Sequence, residues 1–288
     1  MRSIAPPVYN SIDVYQICID SISSVGLRAK FNGVIDDIKI AINEYSTKAP
    51  FAKSYQIKPF LGKNGDIVIG LATKEDFKKL YSDHMVGQKK PARRIYDTLK
   101  FGAPLNICPF CGFGHVGTLD HYLPKSKYPY LSVLPLNLVP SCLDCNKGKG
   151  TDSPDKPGQQ CIHPYFDHDL ITTEQWLFAE VQETTPASIR YFVRPPEDWE
   201  QINKERVVTH FSDFHLSSRF ATQATFELAT FKELLLYDFN INGMVGVKRE
   251  LEKRATVALG LHKNAWDTAM FQALADNDWY CERGFFEE

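Results

Sequence analysis

"LDHYLPK", residues Leu119 to Lys125, stands eight residues after the pair Cys108 and Cys111 and well before the pair Cys142 and Cys145. An Asp-His dipeptide inside an apolar run, enclosed by four thiols, decides how the rest of the chain reads. Two Cys-x-x-Cys pairs with thirty residues between them suit a tetrahedral thiolate site. Each pair makes a tight knuckle, and the chain between them returns to its start. The ion expected for four sulfurs is Zn²⁺, in a structural role, because four thiolates leave no open position for water. Pro109, Gly112 and Gly114 give the first knuckle its turn, and Asn146, Lys147 and Gly148 follow the second. A redox pair is the competing reading, but no thioredoxin-like pattern accompanies either motif.

Within the frame, Leu119 to Leu123 reads as a strand ended by Pro124. Neighbours on a strand point to opposite faces, so Asp120 and His121 diverge unless the strand twists or bulges. Asn137 opens a second apolar run, "NLVPSC" (Asn137 to Cys142), and "CNKGKG" (Cys145 to Gly150) opens a short helix carrying Asn146 in its first turn.

The order Cys-x-x-Cys, Asp-His, Asn, Cys-x-x-Cys-Asn and a following Lys-Gly-Lys resembles the HNH endonuclease family, whose ββα-metal fold wraps an active site in a zinc-binding frame. The match runs from about Cys108 to Gly150. The resemblance implies His121 as the general base that activates water, with Asp120 and Asn146 as ligands of a catalytic Mg²⁺ or Mn²⁺. It implies Asn137 as the residue that braces the connection between the strands and orients the histidine. Asn146 departs from the family's name, which has a histidine there; two oxygen donors suit a hard cation. The wording "LDHYLPKSKYP" and "NLVPSCLDCNKGKG" is also similar to HNH proteins of bacterial anti-phage defence, such as the Septu type, in which the nuclease works with an ATPase. That implies DNA as substrate and a protein partner docked on the flanking helices. No P-loop motif is present, so any ATP dependence belongs to another chain.

The expected function is metal-dependent hydrolysis of DNA phosphodiester bonds. Two alternatives stay open: a zinc module that binds nucleic acid without cutting, and a stand-alone restriction enzyme for modified DNA.

The remainder of the sequence sets the surroundings. With 288 residues, 43% hydrophobic and 24% charged, the chain is globular in composition and long enough for a sizeable core. Seven cysteines, an odd count, argue against a disulfide framework; Cys18, Cys161 and Cys281 read as packing residues. No run reaches membrane-span length and the first ten residues lack signal-peptide character, so a cytoplasmic location is expected. The net charge of −2 conceals a segregation. Lys74 to Gly150 holds twelve basic against six acidic residues, an excess of +6, leaving −8 elsewhere. A basic middle suits a polyanion. The candidates for phosphate contact are Lys89, Lys90, Arg93 and Arg94 before the frame, and Lys125, Lys127, Lys147 and Lys149 within it. His115 is a weaker candidate ligand beside four thiols, and His163 reads as a packing or capping residue.

The expected fold class is α+β: a small zinc-stapled ββα-metal core over 101–168, flanked by mainly helical regions over 1–100 and 169–288. Phe31, Val34, Ile35, Ile38 and Ile42 predict a helix within Leu27 to Tyr45. "YQIKPFL" and "DIVIGLA" predict two strands around an Asn64-Gly65 turn. Thr73 with Asp76 predicts a capped helix through about Met85, with a further helix after Pro91. Trp176 to Gln182 and Ile189 to Arg194 predict a strand pair, and the chain from about His215 onward reads as helical.

Overall fold

A computed structural model describes residues 1–286. The fold mixes helices with two-stranded antiparallel sheets and divides into two compact units, Ser3–Asp167 on one side and Met1–Arg2 with the residues from His168 onward on the other. Residues 3–100 and the cysteine frame thus share one unit.

That unit begins with α1 (Ser11–Asp20), α2 (Val25–Asn32) and α3 (Ile35–Lys48). Asn10 caps α1, its Oδ1 accepting from the amides of Ile12 and Asp13. The predicted helix over Leu27 to Tyr45 is therefore two helices. Val34 leaves helical geometry between them and buries its side chain, while Phe31, Ile38 and Tyr45 carry the apolar face into the core.

The next strands are short: β1 (Ile67–Ile69) pairs with β2 (Ala72–Thr73). Their turn lies at Gly70, not at Asn64-Gly65. Gly70 has φ +56°, and a Cβ there would come within 2.4 Å of Val34 Cγ1. The Asn64 segment instead braces the following helix, with the Glu75 amide donating to the Asn64 carbonyl at 2.8 Å. "YQIKPFL" contributes a single 3₁₀ turn rather than a strand. Thr73 and Asp76 form the expected capping box at the start of α4 (Lys74–Lys79), which widens into a π-helical turn over Leu80–Met85. Phe31 and Phe77 meet edge to face at 5.2 Å, tying α2 to α4. After Pro91 comes α5 (Arg93–Lys100).

β3 (Thr118–His121) and β4 (Leu138–Ser141) form an antiparallel pair in which Asp120 faces Val139 and His121 faces Leu138. α6 (Leu143–Lys149) follows directly, with the Cys142 sulfur accepting from the Cys145 amide at its start. All four positions of β4 are buried, because elements outside the strand pair cover it: Tyr165 Oη donates to the Leu138 carbonyl at 2.7 Å. Tyr45 Oη reaches the Leu136 carbonyl at 3.3 Å.

The second unit contains α7 (His168–Thr172), β5 (Leu177–Gln182), β6 (Ser188–Val193), α8 (Gln201–Asp213), α9 (Leu216–Leu261) and α10 (Trp266–Ala275). β5 and β6 pair antiparallel in the predicted place, with Phe178 opposite Phe192. α8 lies in sequence too polar to signal itself. The buried Asn264 ties this unit together. Its Oδ1 accepts from the Trp176 and Leu177 amides, and its Nδ2 donates to the Ile171 and Glu174 carbonyls. Among the described residues no helix is long and apolar enough to cross a membrane; α9 consists of two helical stretches that meet at Gly243, where φ is +61°.

Candidate functional site

The four cysteines of the frame converge. Their sulfur atoms all lie within 4.8 Å of one another, all four side chains are buried, and Cys111 Sγ to Cys142 Sγ is 3.9 Å. Four sulfurs about 2.3 Å from one ion stand roughly 3.8 Å apart, so the cluster has the dimensions of a tetrahedral zinc site. Backbone geometry explains the convergence. In the first knuckle the Gly112 amide donates to the Cys108 carbonyl at 2.8 Å and the Gly114 amide to Cys111 Sγ at 3.3 Å. In the second, the Cys145 amide donates to Cys142 Sγ at 3.4 Å. Gly114 packs closely here: a Cβ would sit 3.0 Å from Cys142 Sγ and crowd the cluster. The Cys142 thiol is drawn down to about 6, first through its hydrogen bond with Cys108, while Cys108 is pushed up by burial. A divalent ion can hold all four as thiolates. His115 lies outside this set; it pairs with Ile107 as an isolated β-bridge that closes the first knuckle.

Asp120 and His121, both buried at 7% and 6% exposure, leave β3 toward different partners. Asp120 Oδ2 receives Lys149 Nζ from the last turn of α6 at 3.3 Å, and the same ammonium donates to the His121 backbone carbonyl at 2.6 Å. Burial raises the Asp120 carboxyl above its ordinary range, and Lys149 opposes that rise. Lys149 also lies 5.4 Å from the centre of the Tyr122 ring.

The His121 ring stands edge to face with Tyr81, centroids 4.5 Å apart, and its Nε2 donates to the Ser132 carbonyl at 2.8 Å. Burial presses the imidazole down to about 3, helped by Lys125 and Lys149 and opposed by the Ser132 carbonyl. The ring is neutral at physiological pH. With its proton on Nε2, Nδ1 is the nitrogen that carries the lone pair.

Asn137 is fully buried and clasps the connection between the strands. Oδ1 accepts from the Leu123 amide at 2.7 Å, and Nδ2 donates to the carbonyls of Leu123 at 3.0 Å and Leu131 at 3.3 Å. Asn146 sits on α6, three residues before Lys149. Positions three apart share a helix face, and Asn146 is half-buried there. Two contacts escaped the sequence reading: Tyr81, from the π-helical turn, and Ser132, whose own hydroxyl donates to the Phe77 carbonyl at 2.9 Å. Neither carries a local signal, because both reach His121 only through the tertiary fold.

The basic candidates separate by their present partners. Lys149 is held by Asp120, as described. Lys125 lies over the Tyr81 ring at 4.4 Å, and burial lowers its ammonium. Arg93 pairs with Asp97 at 2.9 Å and donates to the Val86 carbonyl at 2.8 Å, while Lys90 donates to the Ser21 carbonyl at 2.9 Å. Lys127 makes a longer pair with Asp152 at 3.7 Å. Lys89, Arg94 and Lys147 are exposed. His163 is a packing residue, its ring tilted against that of Tyr122 with centroids 4.0 Å apart, and it accepts from the Tyr165 amide.

No protein-family model matches the chain, and no solved structure matches it. The chain is similar to Protein ea31 of Escherichia phage lambda, with 34% identity over 230 residues that cover 74% of this chain and 75% of the phage protein. Identity at that level across three quarters of both chains places the protein in the family of phage lambda Protein ea31.

Proposed function

We propose that this protein is a metal-dependent endonuclease of the HNH type, hydrolysing DNA phosphodiester bonds. The observation that supports the reading best is the grouping around β3. A carboxylate and a neutral imidazole, adjacent in sequence, are held by Lys149 of α6 and by the Asn137-clasped connection, and the same α6 carries Cys145 of the four-cysteine cluster.

Each residue has a role in that reaction. His121, neutral and with Nδ1 as acceptor, takes the proton from the attacking water. The Ser132 carbonyl fixes the ring's orientation and tautomer. Asp120 and Asn146 would be the oxygen donors for Mg²⁺ or Mn²⁺, and the Asp120 carboxylate already has a cationic partner in Lys149. The bound cation supplies Lewis-acid stabilisation of the phosphate and of the departing oxygen. Lys147, Arg94 and Lys89 remain open to phosphates of the substrate backbone. The cysteine cluster with Zn²⁺ fixes α6 against the strand pair. Anti-phage defence and an ATPase partner belong to this proposal through the Septu-like resemblance.

Incubation of supercoiled plasmid with the purified full chain and Mg²⁺ tests it. Nicked or linear product that disappears with EDTA and with His121→Ala is the expected result. Retarded but uncut DNA would instead assign the chain as a zinc-dependent binding module. Unchanged cleavage by the His121 variant would remove the proposed chemistry altogether.

A further inference from the structure

We infer that the outer edge of β5 accepts an extended, basic segment of another protein as a third strand, laid in the groove between β5 and α10. The inference stands apart from the chemistry at His121, because every residue it uses belongs to the second unit. The first observation is the direction of the backbone. The sheet holds two strands, so β5 has an edge that β6 does not reach. The Arg194 amide donates to the Trp176 carbonyl at 2.8 Å, in register with the β5–β6 ladder. Bonded positions in an antiparallel pair recur at every second residue. Phe178, Glu180 and Gln182 therefore bond to β6, while Leu177, Ala179 and Val181 turn their amides and carbonyls outward. Neighbouring bonds agree. The Leu177 amide is taken by Asn264 Oδ1, and its carbonyl accepts from Gln175 Nε2. On the far edge, the outward Tyr191 carbonyl of β6 accepts from Ser217 Oγ of α9 at 3.3 Å. Ala179 and Val181 are left with amide and carbonyl unpaired among the described residues, a template for another strand.

The second observation is the space beside that template. A groove of about 410 Å³ touches Phe178, Ala179, Glu180 and Val181 in succession. Successive residues of a strand point to opposite faces, so a cavity that meets a continuous run of them lies along the edge. Its other wall is α10, where Ala269 and Ala273, one turn apart, leave room for the side chains of an added strand. Gln175 joined to Gln272 at 2.6 Å closes one end, and Asn277 with Glu183 at 3.5 Å the other.

Charge selects the occupant. No lysine or arginine lines the groove. Glu180 is matched by Arg190 at 2.5 Å, but the exposed Asp276 has no cationic partner among the described residues, and Glu183 meets the Asn277 amide. Both acids stand where α10 ends, beside the negative pole of the helix. That end attracts lysine or arginine and repels a phosphate backbone. It also selects against a second copy of this chain. Two β5 edges paired about Glu180 would set its two carboxylates opposite each other. Pairing about Val181 would carry Glu183 into the acidic groove of the other copy, and pairing about Ala179 needs the Leu177 groups that Asn264 and Gln175 already hold.

Panning a displayed library of random peptides on the full chain tests the inference. Binders should carry a run of small or β-branched residues with lysine or arginine at one end. Synthetic copies of the binders, followed by fluorescence anisotropy, should lose affinity by about tenfold or more with Ala179→Pro, which removes an outward amide and no β5–β6 bond. Ala273→Tyr should do the same by filling the groove, and Asp276→Lys should weaken the basic peptides selectively, with circular dichroism unchanged in all three. Methylating the peptide's backbone nitrogens one at a time should abolish binding to the natural chain at alternate positions, a pattern that side-chain contact alone does not produce. A library without binders, binders without basic residues, equal affinity for Ala179→Pro and Ala273→Tyr as for the natural chain, or a methylation series without alternation would each overturn the assignment. A dimer of the chain in sedimentation that Ala179→Pro dissolves would overturn it too, by giving the edge to a second copy.

Discussion

Asn137 holds Leu123 by both of its backbone groups at once, accepting from the amide at 2.7 Å and donating to the carbonyl at 3.0 Å. Both ends of the carboxamide are used because both ends of Leu123 lack a strand partner once β3 has stopped at His121. Replacement by alanine strands a buried donor and a buried acceptor, each costing about 1–3 kcal/mol. Asn137→Asp keeps the shape but cannot donate to the two carbonyls. Urea denaturation should show both variants destabilised by roughly 2–4 kcal/mol, as expected for loss of a buried network.

The sulfur cluster predicts one Zn²⁺ per chain by elemental analysis of the purified protein. Chelation, or Cys145→Ser, should lower the melting temperature sharply, because the metal's binding energy is folding energy for a small stapled unit. Gly114→Ala should do the same more mildly by crowding Cys142 Sγ. A chain without zinc that melts at the same temperature would contradict the assignment.

The depressed His121 imidazole predicts how stability varies with pH. Its folded value, about 3, lies below the ordinary 6.5, so between these limits the unfolded chain binds more protons than the folded one. Stability attributable to this group is complete above about pH 6.5. It falls as pH drops, at up to about 1.4 kcal/mol per unit. Comparing the pH dependence of unfolding for the natural chain and His121→Gln isolates the effect, and the variant should show the shallower slope below pH 6.

Lys149 and Asp120 form a pair with side chains only 8% and 10% exposed. Removing one member of such a pair leaves the other charged and buried, typically at a cost of about 3–5 kcal/mol. Lys149→Met should lose close to that amount at pH 7. The loss should shrink toward pH 4, because the Asp120 carboxyl, already raised by burial, takes up a proton once its cation is gone. Asp120→Asn in the same background should restore much of the stability.

The cysteine frame was legible in sequence because metal ligation imposes spacing, and spacing survives in one dimension. The Thr73 cap was legible for a similar reason: a capping box is a local contract among four residues. Asn64-Gly65 misled because a turn dipeptide states a preference that a better-placed glycine can override, and Gly70 lies directly against Val34. Tyr81 and Ser132 were invisible as neighbours of His121, since they approach it from forty residues before and eleven after, and neither position follows from periodicity. Asn264 was missed likewise; its four partners lie at residues 171 to 177.

The Asn137 clasp has a consequence for motion. A side chain bonded to the backbone 14 positions earlier turns the intervening segment into a closed ring, and the bond from His121 to Ser132 ties that ring again from the inside. Such a segment does not swing as a flap; its amides should exchange with deuterium only as slowly as those of the sheet it is bound to. Whatever reaches His121 must come to a rigid rim rather than wait for one to open.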